Sequence, residues 1–240
     1  MKNIEEIAFI ISARINSTRV EKKMVRPFGD SCLFEVALKK FLSTPLIPKE
    51  NIFAAVGEEE LITIASELGV NIFRRSEKSV NSSVMDLREG WEWCYELSSR
   101  YKYYCVLNAC QPFIETDTVD AFVEASLQSK SRSLISAIEM KDYYWDSNKS
   151  MDVSKFITEE MPFFAFNTRF APITYRASHT LQLGLFEDLV KGVWLGTFEA
   201  NDPELFFVGE GEAFDIDYPW QFEMAELKYR HQLNGSASTE

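Results

Sequence analysis

Between Arg14 and Arg26 stand five basic residues and one acid, in a chain whose formal net charge is −12. This local reversal of sign is suited to an anionic ligand. A triphosphate calls for forked donors, which Arg14 and Arg19 offer, and for a point charge, which Lys23 offers. Ser17 and the amides of the same loop add neutral donors. The residue types alone leave a second reading open, a solvated basic loop that pairs with acids elsewhere.

A second set lies near the C-terminus, Asp215 and Asp217 in Phe214-Asp215-Ile216-Asp217. Two carboxylates two apart on a strand face the same side and can share one hard cation. The competing reading is a pair of exposed acids at a strand end or helix cap, because Pro219 opens a helix just beyond. His179 and His231 are the only histidines, and neither has a serine, cysteine or acid at triad-like spacing, which gives them a structural or surface role. Arg176, beside Tyr175, is either a surface arginine or a partner for a substrate carboxylate. No G-x-G-x-x-G follows the first strand, which disfavours a dinucleotide oxidoreductase. Trp91, Trp93, Tyr95 and Phe122 fall on amphipathic helical patterns and read as core and helix surface rather than a sugar platform.

The elements that must hold these groups follow from hydrophobic periodicity. Ile7 to Ile11 is a continuous apolar run, as in a strand buried on both faces. Strands are also expected over Asn51 to Val56, Val70 to Phe73, Tyr103 to Leu107, Ser133 to Ile138, Thr174 to Leu183 and Phe206 to Val208. Helices are expected over Leu33 to Leu42, Glu59 to Leu68, Val84 to Leu97, Asp117 to Leu127 and from Pro219 to about His231. Strand and helix alternate five times, which predicts an α/β fold, a mostly parallel sheet flanked by helices. The basic loop follows the first strand, and ligands of open α/β sheets bind beyond the carboxyl ends of strands. One domain is expected over residues 1–232, with a flap or dimer-contact excursion at 141–160 and a disordered polar tail at 233–240.

Composition narrows the partners. The chain has 240 residues, 46% hydrophobic and 26% charged, enough to bury a full core without staples. An acidic surface argues against nucleic acid or an anionic membrane. No apolar run approaches the roughly 18 residues needed to span a bilayer, and Glu5 and Glu6 precede the first apolar run where a signal peptide would be basic. Cys32, Cys94, Cys105 and Cys110 form no C-x-x-C pair and read as reduced thiols of a cytoplasmic protein.

The string Ala13-Arg14-x-x-Ser17-Thr18-Arg19-x-x-x-Lys23, with Pro27-x-Gly29 and Leu33-x-Glu35 after it, closely resembles the opening of the cytidylyltransferases that make CMP-Kdo and CMP-sialic acids. It is also similar to that of the SpsF-type spore-coat polysaccharide proteins. The resemblance continues in Glu58 to Arg75, in Leu107-Asn108-Ala109-Cys110-Gln111-Pro112-Phe113-Ile114 and in Phe214-Asp215-Ile216-Asp217-Tyr218-Pro219. It implies a nucleotide-diphospho-sugar transferase (Rossmann-like) fold, CTP as donor, Mg²⁺ as cofactor, an acidic keto-acid sugar as acceptor, pyrophosphate as leaving group and a homodimer. Arg14, Ser17 and Lys23 would hold the triphosphate with Arg19 in support. Arg75 and Asn108 would line the nucleotide cleft, with Ser82 near the base. Gln111 and Arg176 would serve the acceptor, and Asp215 and Asp217 the metal. Arg14, Lys23 and the two aspartates would be the catalytic set. Three departures stand out. Cys110 occupies the place of a metal-binding aspartate in part of the family. Phe113-Ile114 replaces Leu-Arg of the sialic branch, and Glu21 enters the first loop. They keep open a non-catalytic nucleotide- or sugar-binding relative, and cytidylyl transfer to another small anionic acceptor.

Overall fold

The computed structural model describes residues 1–81, 87–145, 147–150, 168–171, 173–199 and 201–236. Its strands are β1 (Ile7–Ser12), β2 (Pro27–Phe28), β3 (Ser31–Cys32), β4 (Ile52–Val56), β5 (Asn71–Arg74), β6 (Tyr103–Leu107), β7 (Leu134–Lys141), β8 (Ile173–Leu185) and β9 (Glu204–Phe207). Its helices are α1 (Leu33–Leu42), α2 (Glu59–Glu67), α3 (Glu77–Asn81), α4 (Leu87–Gly90), α5 (Trp93–Leu97), α6 (Thr116–Gln128), α7 (Phe186–Val190) and α8 (Pro219–Ser236). The main sheet has the order β5-β4-β1-β6-β8-β7-β9. All pairs are parallel except those of β8 with β6 and β7.

The alternation of a strand explains how one run serves two cores. Ile7, Phe9 and Ile11 of β1 face a cluster shared with Phe34, Phe41, Leu61, Phe122 and Phe222. Ala8 and Ile10 face the other way, into a cluster with Phe53, Trp93, Tyr104 and Phe186. Both faces are therefore covered, as a parallel strand requires. Each such aliphatic or aromatic side chain contributes about 1.5–3 kcal/mol by leaving water.

Two features position the site. The chain leaves β1 for β4 on one side and returns to β6 on the other, so the loops after Ser12, Val56 and Leu107 meet at one edge, where an α/β sheet forms its crevice. The hairpin of β2 and β3 is the dock for α8. The Phe28 ring lies 5.5 Å from that of Phe222 and 4.9 Å from that of Tyr229. Gly29 turns the hairpin with φ +64°, and a Cβ there would stand 2.7 Å from the Tyr229 ring, so glycine is required twice over.

Three expectations are revised. The helix predicted over 84–97 is two short helices, α4 and α5, among its described residues. Between them Glu92 turns its carboxylate onto the amide and hydroxyl of Ser76, and Trp91 stacks on Trp93 at 5.2 Å. Phe214 to Asp217 is an irregular connection, not a strand, because its backbone bonds go to the loop after β6 and to side chains instead of to a neighbouring strand. The last helix runs past His231 to Ser236, since no proline stops it there. Most of the 141–160 excursion lies outside the described residues.

Candidate active site

The loop after β1 is a series of turns pinned by its own apolar residues. Val20 and Met24 are buried, and the Lys22 carbonyl accepts the amides of Val25 and Arg26 at 3.0 and 2.9 Å. Lys23 lies between those anchors. Its stem is buried and its ammonium donates to the Ile216 carbonyl at 2.6 Å. The Ile216 amide in turn donates to the Cys110 carbonyl at 3.0 Å. One fully buried isoleucine thus ties the basic loop, the loop after β6 and the C-terminal segment into a single knot.

Asp215 and Asp217 flank that isoleucine. Arg19 pairs with Asp217 at 2.6 Å and lies over the Tyr218 ring. Both Asp217 and Tyr218 donate their amides to Gln221 Oε1, at 2.7 and 2.8 Å. Gln221 thus satisfies the amides leading into α8, and the Asp217 carboxylate is left to the cleft rather than capping the helix. Asp215 Oδ1 is buried and has no hydrogen-bond partner. Burial, then the neighbouring charge of Asp217, raises the Asp215 carboxyl above the usual range, against the pull of Lys23 and a hydrogen bond from Gln111. The Cys110 thiol is likewise pushed up, first by burial, although Lys23 draws it down. A thiol kept neutral is a poor ligand for a hard cation. An orphaned buried carboxylate oxygen beside a second carboxylate, by contrast, fits one. Among the described residues no group of three His, Cys, Asp or Glu side chains is arranged around a metal position, so most ligands of any Mg²⁺ would have to come from phosphate and water.

The loop after β6 is held by polar bonds on its other side. Asn108 Oδ1 accepts the Cys110 amide at 3.0 Å, and the Asn108 amide donates to the Thr180 carbonyl. Gln111 is buried. Its amide group donates to the Ser178 carbonyl at 2.7 Å, and its oxygen accepts from the Thr180 hydroxyl. Between those residues His179 adopts φ +56° and stacks on Trp194 at 5.4 Å, an exposed position that its sequence neighbours did not betray. Arg176 stands farther out on β8, exposed, opposite Ile138.

At the other wall, Arg14 donates to the Val80 carbonyl at 3.3 Å, and Asn16 meets Asn81. Ser17 Oγ accepts the Val20 amide at 3.4 Å. Arg75 is buried and donates to Ser12 Oγ, the Ala13 carbonyl, Ser79 Oγ and the Ser79 carbonyl, so it secures the end of β1. Burial lowers its pKa, opposed by Glu58. Arg74 pairs with Glu59 at the surface. Ser82 and Ser83 lie outside the described residues. The structure therefore brings Arg19, Lys23, Cys110, Gln111, Asp215 and Asp217 together, with Arg14 and Arg75 on the adjoining wall. Glu58, Ile216 and Gln221 were not marked by sequence reasoning. A cavity of about 530 Å³ lined by Gly192 to Phe198 carries no charged lining and offers nothing to a triphosphate.

A model of the cytidylyltransferase family matches residues 8–187. The chain belongs to that family. The matched span holds the basic loop and the loop after β6, while Asp215 and Asp217 lie beyond it. The uncharacterized protein MJ1063 of Methanocaldococcus jannaschii is 31% identical over 77 residues, 31% of this chain and 32% of its own length. The spore coat polysaccharide biosynthesis protein SpsF of Bacillus subtilis is 24% identical over 134 residues, 53% of this chain and 52% of its own. The chain thus spans about a third and about half of these curated relatives. The solved structure of CMP:2-keto-3-deoxy-manno-octonic acid synthetase with CTP superposes with a TM-score of 0.67 at 9% identity, over 95% of this chain and 99% of that one. At that identity the likeness shows the fold.

Proposed function

We propose that this protein transfers the cytidylyl group of CTP to a hydroxyl of an acidic, 3-deoxy-keto-acid type sugar, as one of the CTP-dependent nucleotidyltransferases. The observation that carries the reading is the knot at Ile216, where Lys23 of the basic loop stands against the carboxylates of the C-terminal segment. The sugar hydroxyl attacks the α-phosphorus, the bond to the β-phosphate breaks, pyrophosphate leaves and the hydroxyl proton passes to solvent. Arg14, Arg19 and Lys23 hold the triphosphate and receive the charge that develops on the leaving group. Asn108 and Arg75 shape the nucleotide wall, and Ser82 would serve the base, as the family resemblance implies. Gln111 serves the acceptor through the loop it steadies, with Arg176 at the outer end of β8. Asp215 and Asp217 would hold Mg²⁺, which supplies charge neutralisation at the phosphates. A homodimer in the cytoplasm completes the proposal, and the four free thiols suit a reducing compartment. Among the described residues no helix is long and apolar enough to cross a membrane.

The test is pyrophosphate release from CTP and Mg²⁺ across a panel of acidic sugars, with other small anionic acceptors as a second panel. Release with the sugars supports the proposal, and release confined to the second panel moves the acceptor class. Cys110 favours a second reading, a binding protein that has lost catalysis with its central carboxylate. Tight CTP binding without release on either panel is its signature.

A further inference from the structure

Glu58 begins α2 in the N-cap position yet makes no side-chain cap to that helix. Its carboxylate reaches across the crevice instead, where Oε1 accepts the Ile15 amide at 2.7 Å. The carboxylate does not serve its own helix end, so the contact it makes with Ile15 instead is the feature to explain. The other oxygen, Oε2, is buried without a hydrogen-bond partner, and the neighbouring charge is the Arg75 guanidinium, which Glu58 stabilises in its charged form. Arg75 grips the same stretch from the other side, at Ser12 Oγ and the Ala13 carbonyl. The corner that presents Glu58 is tight. A Cβ on Gly57 would meet Val80 Cγ2 at 2.4 Å, and the Val80 carbonyl is where Arg14 donates.

We infer that Glu58 is a positioning residue for the nucleotide. With Arg75 it forms a clasp on residues 12–15 that fixes the backbone of Arg14, and so the direction in which the loop presents its donors to phosphate. The inference rests on the reading of that loop as the triphosphate site. The clasp also engages the Ile15 amide internally, so the neutral donors left for phosphate begin after it. A carboxylate placed at the rear of an anion site repels the ligand, and a position that keeps one does so for the hydrogen bond and for the buried arginine.

The experiment compares wild type, Glu58→Ala and Glu58→Gln by CTP titration calorimetry and by hydrogen exchange at the Ile15 amide, with circular dichroism to confirm folding. Glu58→Ala is expected to bind CTP about tenfold more weakly, the loss of one charge-assisted bond, and to exchange Ile15 faster. Glu58→Gln keeps an acceptor oxygen and should recover CTP affinity to within about threefold of wild type and restore protection of Ile15. Wild-type affinity in a folded Glu58→Ala protein, unchanged Ile15 exchange, or a Glu58→Gln variant as weak as Glu58→Ala each overturns the role. If the wild type itself binds no CTP, the nucleotide reading falls and the role goes with it. Exchange at Ile15 then separates that failure from a clasp that was never closed.

Discussion

Lys23 has two duties that its neighbours make visible. It ties the C-terminal segment through Ile216 and it brings positive charge to the cleft. Lys23→Ala should weaken CTP binding by tenfold to a hundredfold, since a charge-assisted bond contributes about 1.5–3 kcal/mol. Arg14→Ala should act in the same direction without loosening the knot. Unchanged affinity in both variants would remove the loop from the site. Cys110 is expected to be a bystander, and Cys110→Ala should release pyrophosphate within about threefold of wild type, one bond or less in energy. Activity that appears only in Cys110→Asp decides for the binding protein. Asp215 yields a pH signature in the free protein. Its carboxyl is raised, mainly by burial, so the folded state keeps a proton that the unfolded chain has lost. Stability then falls as pH rises from the ordinary carboxylate range through the raised value, and it stays lower above that. Asp215→Asn removes this cost. Its thermal midpoint at neutral pH should equal or exceed that of wild type, and the difference should close below the ordinary carboxylate range. A midpoint well below wild type at neutral pH would mean that the charged form is favoured where it lies.

At the scale of elements, the docking of α8 on the hairpin of β2 and β3 decides whether the aspartates meet the basic loop at all. Gly29→Ala places a methyl against Tyr229 in a left-handed turn, and should cost about 1–3 kcal/mol, read as a lower urea midpoint. CTP affinity should fall with it, because the ring contacts that seat α8 must open. A Gly29→Ala protein as stable as wild type would show that the hairpin and helix are not coupled. Gln221→Ala removes the acceptor of the Asp217 and Tyr218 amides. A loss of about 0.5–2 kcal/mol, as for a missing helix cap, is expected in the same assay.

Over the whole molecule, the parts of the fold that were legible are those with strong period or strong chemistry. The continuous run Ile7 to Ile11 announced a strand buried on both faces, and the alternation of strand and helix announced the parallel sheet. The basic loop stood out because the rest of the chain is acidic. What the sequence hid are contacts made across long separations. Ile216 looks like one apolar residue between two acids, yet it joins three loops. Glu58 is the first of three glutamates at a helix start, where an acid facing solvent and favoured by the helix dipole is the ordinary expectation, and its turn toward Ile15 depends on a corner that only the folded chain brings close. The break between α4 and α5 was hidden as well, since Trp93, Cys94 and Leu97 satisfy a helical pattern while Glu92 is drawn away to Ser76.

The bond from Lys23 to Ile216 joins residues 193 apart, and this separation has a meaning in time. During synthesis the six strands β1 and β4 to β8 of the main sheet, with the basic loop, are complete long before Ile216 is added. Until then Lys23 has no carbonyl to seat it and the two carboxylates do not exist. A growing chain can therefore hold most of its sheet while the loop after β1 still lacks the segment that seats Lys23 beside the two carboxylates.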